Sequence, residues 1–149
     1  MQRQAAAGIA EWLEGLQRIL DGCADAIAAH RPPDSGTALD AIDRALMRFN
    51  QSASEVQAML RRSHPQLAGQ LRRCTDLAYH LRNHTRTYLL RSADVLALEA
   101  HGRPPGPHAQ QGLAEAHRQG EEAVALLRRE LAALGPELHR LISIWSAPE

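Results

Sequence analysis

Apolar side chains recur at every third or fourth position through the second half of this chain. That spacing places one residue per turn on a single stripe of a helix, so two long helices are predicted to pack antiparallel in the manner of a coiled coil. The first stripe is Leu67, Leu71, Cys74, Ala78, Leu81, Thr85, Tyr88, Ser92 and Val95, and the second is Leu113, Gly120, Val124, Leu127, Leu131, Leu134, Leu138, Leu141 and Trp145.

The first half of the chain predicts two shorter helices. The first has an apolar stripe from Ile9 to Ile27 and ends at residues 30–36, where two prolines and a glycine prevent continuation. The second begins at Thr37, whose hydroxyl is placed to cap it, and its stripe ends at Leu60. A short turn with Ser63 as a cap then leads into the third helix. The chain is therefore predicted to be all-α, an up-down-up-down four-helix bundle forming one domain over residues 1–149.

Gly135 and Pro136 interrupt the fourth helix in composition but not in phase. The apolar stripe continues from Leu134 to Leu138 without a slip. A helix break rarely preserves phase, so we expect a kink at Gly135-Pro136 in preference to a separate fifth helix.

The predicted helices differ in length. The third and fourth span about 33 to 37 residues, near 50 Å, whereas the first and second span about 25 residues, near 38 Å. If the short turn at residues 63–66 aligns one end, the surplus projects at the other, around residues 92–118. We expect this overhang to bind a partner through Val95, Leu96, Leu98 and Leu113. The alternative is that the 30–36 loop or an arm at residues 1–8 folds back to cover it.

Composition narrows the class of protein. The formal net charge is zero, with arginine as the only basic residue besides histidine, so nucleic acid and anionic membrane are disfavoured as partners. No apolar run approaches the roughly 20 residues of a membrane span, and the N terminus lacks a signal-peptide core. Cys23 and Cys74 each fall on an apolar stripe, where free thiols behave as small hydrophobes. We therefore expect a cytoplasmic, bacterial protein.

Basic residues are concentrated in the third helix. Residues 61–91 contain seven arginines and one acid, Asp76, while acids outnumber arginines on both sides. Salt bridges that specify helix pairing are the first interpretation. The alternative is a basic groove for an acidic peptide or a nucleic-acid backbone, formed by Arg72, Arg73, Arg82, Arg86 and Arg91.

His80 and His84 are the sharpest candidate metal ligands, because residues four apart share a helix face. Asp76, four residues earlier, lies too far along the axis to bind the same ion with both. With His117 and Glu121 on the fourth helix, the pattern resembles the di-iron hemerythrins. A hairpin centred near Gly106, however, places His84 opposite Arg128 and His117 opposite Val95, so the two pairs lie about three helical turns apart and form no common site. The remaining hemerythrin ligands are missing, and no metal or other cofactor is expected.

No motif for nucleophilic catalysis, phosphate binding or zinc binding occurs, so no catalytic residue and no enzyme activity are predicted. In size and all-helical plan the chain resembles the helical-hairpin chaperones of bacterial flagellar and type III secretion. This resemblance implies a non-enzymatic adaptor or small export chaperone that shields an amphipathic helix of a protein partner. The alternatives are a homodimeric structural or regulatory protein whose overhangs pair, and a metal or small-ligand binder using His80 and His84.

Overall fold

Four helices and no strands make up the part of the chain that the structure describes. The computed structural model describes residues 2–29 and 35–148, with Ser35 described in its backbone only. The helices are α1 (Gln2–Ala28), α2 (Ser35–Ser63), α3 (Pro65–Ala100) and α4 (Pro107–Ser146). The predicted all-α four-helix bundle with long third and fourth helices is confirmed. Most of the predicted break after α1 lies at residues 30–34, outside the described residues.

Each helix contacts its two neighbours in an up-down-up-down arrangement. α1 packs on α2 and α4, and α3 packs on α2 and α4. Across the diagonals, α1 and α3 also touch, whereas α2 and α4 do not. Cys23 of α1 and Thr85 of α3 are both buried, and such small side chains let these two helices approach each other.

The core follows the two predicted stripes closely. In α3 every member from Leu67 to Ser92 is buried, and in α4 the buried residues include Gly120, Val124, Leu127, Leu134, Leu138 and Leu141. Periodicity predicts burial well here because the stripe is long and each helix has one solvent-exposed face. Cys23 and Cys74 are buried free thiols, as predicted.

Two predicted helix caps are wrong. α2 begins at Ser35, so Thr37 lies inside the first turn and does not precede it. At the next turn the N-cap of α3 is His64, while Ser63 is the last residue of α2 and its hydroxyl pairs with the His64 ring at 2.9 Å. Pro65 occupies the first turn of α3, where its missing N–H costs nothing.

The link between α3 and α4 comprises residues 101–106. α3 ends in a Schellman motif: Gly102 has a φ of 68°, its N–H donates to Glu99 O, and the Arg103 N–H donates to Leu98 O. α4 then begins with Gly106 as N-cap and Pro107 at the first position. α4 continues through Pro136 as one helix, while the predicted kink there stays a prediction.

Candidate functional site

α3 and α4 continue past the end of α1. Ile27, near the end of α1, packs against Gly120 of α4, where an added Cβ would lie 2.8 Å from the Ile27 Cδ1 atom. The Tyr88 hydroxyl of α3 donates to the carbonyl oxygen of Ala29 at 2.9 Å. The end of α1 is therefore level with Tyr88 and Gly120. Beyond this level α3 runs on to Ala100, about 18 Å further.

No residue between Ser92 and Ala116 is buried. We call residues 93–115, which form two helical segments and the link between them, the extension. At the opposite end the bundle is level, because the Trp145 ring of α4 lies 5.6 Å from the ring of His64 in the α2–α3 turn. The unequal helix lengths thus appear at one end only.

All four residues predicted to bind a partner lie in the extension. Val95, Leu96, Leu98 and Leu113 are each half-buried. Leu113 packs against the edge of the core. Leu96 continues the stripe of Leu89 and Ser92, which are buried lower down, where α1 and α2 stand beside α3. The apolar stripe therefore runs on beyond the helices that cover it.

The predicted N-terminal arm does not cover the extension. Residues 2–8 belong to α1, and Gly8 lies against Val56 and Met59, close to the end of α2. This is the level end of the bundle. The other predicted cover, the loop after α1, lies largely outside the described residues.

A polar layer closes the four-helix part below the extension. The Tyr88 ring meets the His117 ring edge-on at 5.4 Å, and His117 Nδ1 lies 3.2 Å from Glu121 Oε1. Burial raises the pKa of Tyr88, so its hydroxyl stays a neutral donor to Ala29. This layer holds the two helices at the base of the extension to the end of α1.

The arginines of the predicted basic groove are distributed over two flanks of α3. Arg73 pairs with Glu130 of α4 at 3.2 Å, whereas Arg82 forms two bonds to Asp43 of α2 at 2.8 and 3.1 Å. Arg91 lies over Gly112 of α4. Arg73 and Arg91 therefore face α4, whereas Arg82 faces α2 on the opposite flank of α3. The arginines are spaced around the circumference of the helix, so they do not all face one groove. Helix pairing accounts for Arg73 and Arg82.

The predicted register of α3 against α4 is also wrong. His117 meets Tyr88 where Val95 was expected, about two turns away. His84 lies in a shallow groove with Arg118 and Gln119, far from the predicted partner Arg128. The hairpin is centred near Arg103 and not near Gly106, because Gly102 ends α3 and Pro107 already belongs to α4. The two histidine pairs are therefore closer along the bundle than the predicted register places them.

The corrected register places His80 and His84 beside charged residues of α4. The groove beside His80 and His84 has a volume of about 420 Å³ and includes Glu122 and Arg118. Arg118 bonds both Glu115 and Glu122, so its charge is already matched within α4. Among the described residues, no group of three or more His, Cys, Asp or Glu side chains is arranged to hold a metal ion.

One group of exposed apolar residues was not among the predicted site residues. Met47, Tyr79 and Leu90 are large apolar side chains exposed on α2 and α3. The sequence feature that could have identified them is their position, because each lies outside the apolar stripe of its own helix.

The fold and the extension define an all-α four-helix bundle whose last two helices form a two-helix projection. Comparison with protein-family models, curated proteins and solved structures found no match. No helix in the described ranges has the length and apolar character needed to cross a membrane.

Proposed function

We propose that this chain is a non-enzymatic partner-binding protein of the cytoplasm, acting as an adaptor or a small export chaperone. The extension is its binding surface, and an amphipathic helix of a protein partner is its ligand. Such a helix would take the position beside α3 and α4 that α1 and α2 occupy lower in the bundle. The buried free thiols Cys23 and Cys74 fit a reducing compartment.

One observation carries the proposal: the apolar stripe of α3 and α4 extends beyond the ends of the helices that bury it. Leu96 and Leu113 are half-buried in the extension, while Ser92 and Ala116 one turn below are buried. Covering such a stripe is worth about 25 cal/mol per Å² of apolar surface removed from water. A helix with leucines at i, i+3 and i+7 is the partner that matches a two-helix groove.

Photo-cross-linking tests this proposal in the cells that make the protein. A benzophenone amino acid is placed at Leu96 or Leu113, with Ile144 as the control, since that residue is exposed at the opposite end of the bundle. We expect one adduct of defined mass at the first two positions and none at Ile144. Absence of adducts, or the same adducts at all three positions, would contradict the proposal. An adduct with a second copy of the chain would replace it by self-association through the extension.

A point substitution then checks the role of the stripe. Leu96→Arg is expected to lower capture of the cross-linked partner by about tenfold or more, because it places a charge in the groove. Ala97→Arg is the matched control on the neighbouring exposed position. Equal capture by both variants would count against the apolar stripe.

A further inference from the structure

We propose that the outer face of α2 and α3 is a homodimer interface, in which α2 of each copy packs on α3 of the other about a two-fold axis parallel to the bundle. The α2–α3 face is defined by Asp40, Met47 and Glu55 on α2 and by Arg72, Tyr79 and Arg86 on α3. It is separate from the extension, and it does not depend on the proposed function.

Two large apolar side chains are exposed near the centre of this face, beside an ion pair. Met47 is 67% exposed and Tyr79 is 37% exposed, and Leu90 at 47% lies further along α3. The Asp43–Arg82 ion pair crosses the seam between the two helices. Met47 is one turn beyond Asp43, and Tyr79 is one turn before Arg82, so they flank the same seam at the same height. Methionine and tyrosine are residue types enriched at the cores of protein interfaces.

Opposite charges flank this centre at matched heights. On α3, Arg72, Tyr79 and Arg86 are seven residues apart and so share one face. On α2, Asp40 lies level with Arg86, and Glu55 lies level with Arg72 to within about 3 Å, counting outward from the Asp43–Arg82 pair. All four charged residues are exposed. None of them forms an ion pair within the described part of the chain.

The symmetry follows from these charges. A two-fold axis parallel to the bundle keeps each height and exchanges α2 with α3. Asp40 then faces the copy's Arg86, Met47 faces its Tyr79, and Glu55 faces its Arg72. An axis perpendicular to the bundle would instead bring α3 onto an inverted α3, with Arg72 against Arg86. Like charges in contact cost free energy, so the parallel arrangement is favoured.

The available area is that of a stable dimer. α2 runs along α3 for about 43 Å, and two adjacent helices are about 20 Å wide, so the face offers about 800 Å² per copy. A methionine thioether against a tyrosine ring would add a favourable sulfur–aromatic contact at its centre. The parallel dimer also places both extensions at the same end.

Sedimentation equilibrium of the full chain tests the proposal at up to about 200 µM, a concentration that detects dimers of micromolar affinity. We expect a mass of about 33 kDa, twice the 16.4 kDa of one chain. Met47→Arg is expected to raise the dimer Kd by about tenfold or more. Ile144→Arg, at a residue 52% exposed on α4, is the control and should change Kd less than about twofold. A monomeric wild-type chain, or a Kd insensitive to Met47→Arg, would overturn the interface.

A charge swap and a cross-link test the symmetry. Asp40→Arg and Arg86→Asp should each weaken the dimer, and the double variant should restore it, because the pairs re-form with reversed sign. Mixing a Met47→Cys chain with a Tyr79→Cys chain should give a mixed disulfide on oxidation. Disulfides between two Met47→Cys chains in preference to the mixed species would overturn the parallel arrangement. Partner adducts at Leu96 in the Met47→Arg variant show independently whether the extension still binds.

Discussion

Single residues in this bundle are constrained mainly by how closely the helices approach. Gly120 is buried where Ile27 of α1 fills the space that a side chain would need. Gly69, in contrast, is exposed, and no atom lies within 4 Å of the position that a Cβ would take there. A substitution at Gly120 therefore tests helix packing, whereas a substitution at Gly69 tests helix propensity.

Substitution of these glycines should change stability in opposite directions. Gly120→Val is expected to lower the free energy of unfolding by about 1 to 3 kcal/mol, because it overpacks the contact with Ile27. Gly69→Ala should raise that free energy by about 0.5 to 1 kcal/mol, since alanine is the better helix former. Urea unfolding followed by circular dichroism measures both. A neutral Gly120→Val would show that α1 and α4 can separate without cost.

The buried thiols predict how stability depends on pH. Burial raises the pKa of Cys23 and of Cys74 to about 11 from an ordinary value of 9.0. A raised pKa means that the folded state holds the proton more tightly, so the stabilisation is complete below pH 9 and is lost as the pH rises toward 11. Each thiol should contribute a loss of about 2 kcal/mol over this range. Unfolding of the wild type and of a Cys23→Ala, Cys74→Ala variant at pH 8 and pH 10.5 measures the difference, and an equal decline in both would contradict it.

Whole helices are aligned by a small number of ion pairs between them. Arg82 holds α3 to α2 through a bidentate bond to Asp43, and it lowers the pKa of that carboxyl group. Arg118 bonds Glu115 and Glu122, both on its own helix. The Asp43–Arg82 pair fixes one helix relative to another, whereas the ion pairs of Arg118 lie on the surface of a single helix.

The two arginines should therefore differ in their effect on stability. Arg82→Gln is expected to lower the free energy of unfolding by about 1 kcal/mol, because it removes two charge-assisted bonds from a partly buried seam. Arg118→Gln should cost less than about 0.5 kcal/mol, as exposed pairs within one helix usually do. The destabilisation by Arg82→Gln should shrink as the pH falls and Asp43 becomes protonated. Equal costs for both variants would show that the α2–α3 pair does not align the helices.

At the scale of the whole molecule, the buried core and the surface proposed for partner binding are in different parts of the chain. The buried core lies where four helices stand side by side, and the extension contributes no buried residue between Ser92 and Ala116. A part that adds little to the core is available for binding at little cost to stability.

Removal of the extension tests this division. Replacing residues 93–115 by a flexible linker of about five residues should leave one cooperative unfolding transition, with its midpoint within about 5 °C of the wild type. Helix content should fall only by the residues removed. Loss of cooperative unfolding would show that the extension is part of the core. Partner adducts that persist at α3 positions outside the extension after its removal would redirect the search for the binding surface.

Much of this fold could be predicted from local sequence alone. The apolar stripes of α3 and α4 identified most of their buried residues, missing Ala68, Leu89 and Ala116, and Pro65, Gly102 and Pro107 mark helix ends through their own backbone preferences. The unequal helix lengths, and with them the extension, follow from the same information. These features depend on a residue and its neighbours within a few turns, which is the range over which periodicity acts.

The register between helices depended on contacts that the sequence does not contain. Two long apolar stripes can slide past each other by a turn and still bury leucine on leucine, so the position is decided by specific contacts such as Ile27 on Gly120, Arg73 with Glu130 and Tyr88 with Ala29. The same contacts separated the five arginines, placed His84 and Gln119 along one groove and left Met47 and Tyr79 exposed. Periodicity determined which side of each helix is buried, and tertiary packing decided which residues meet.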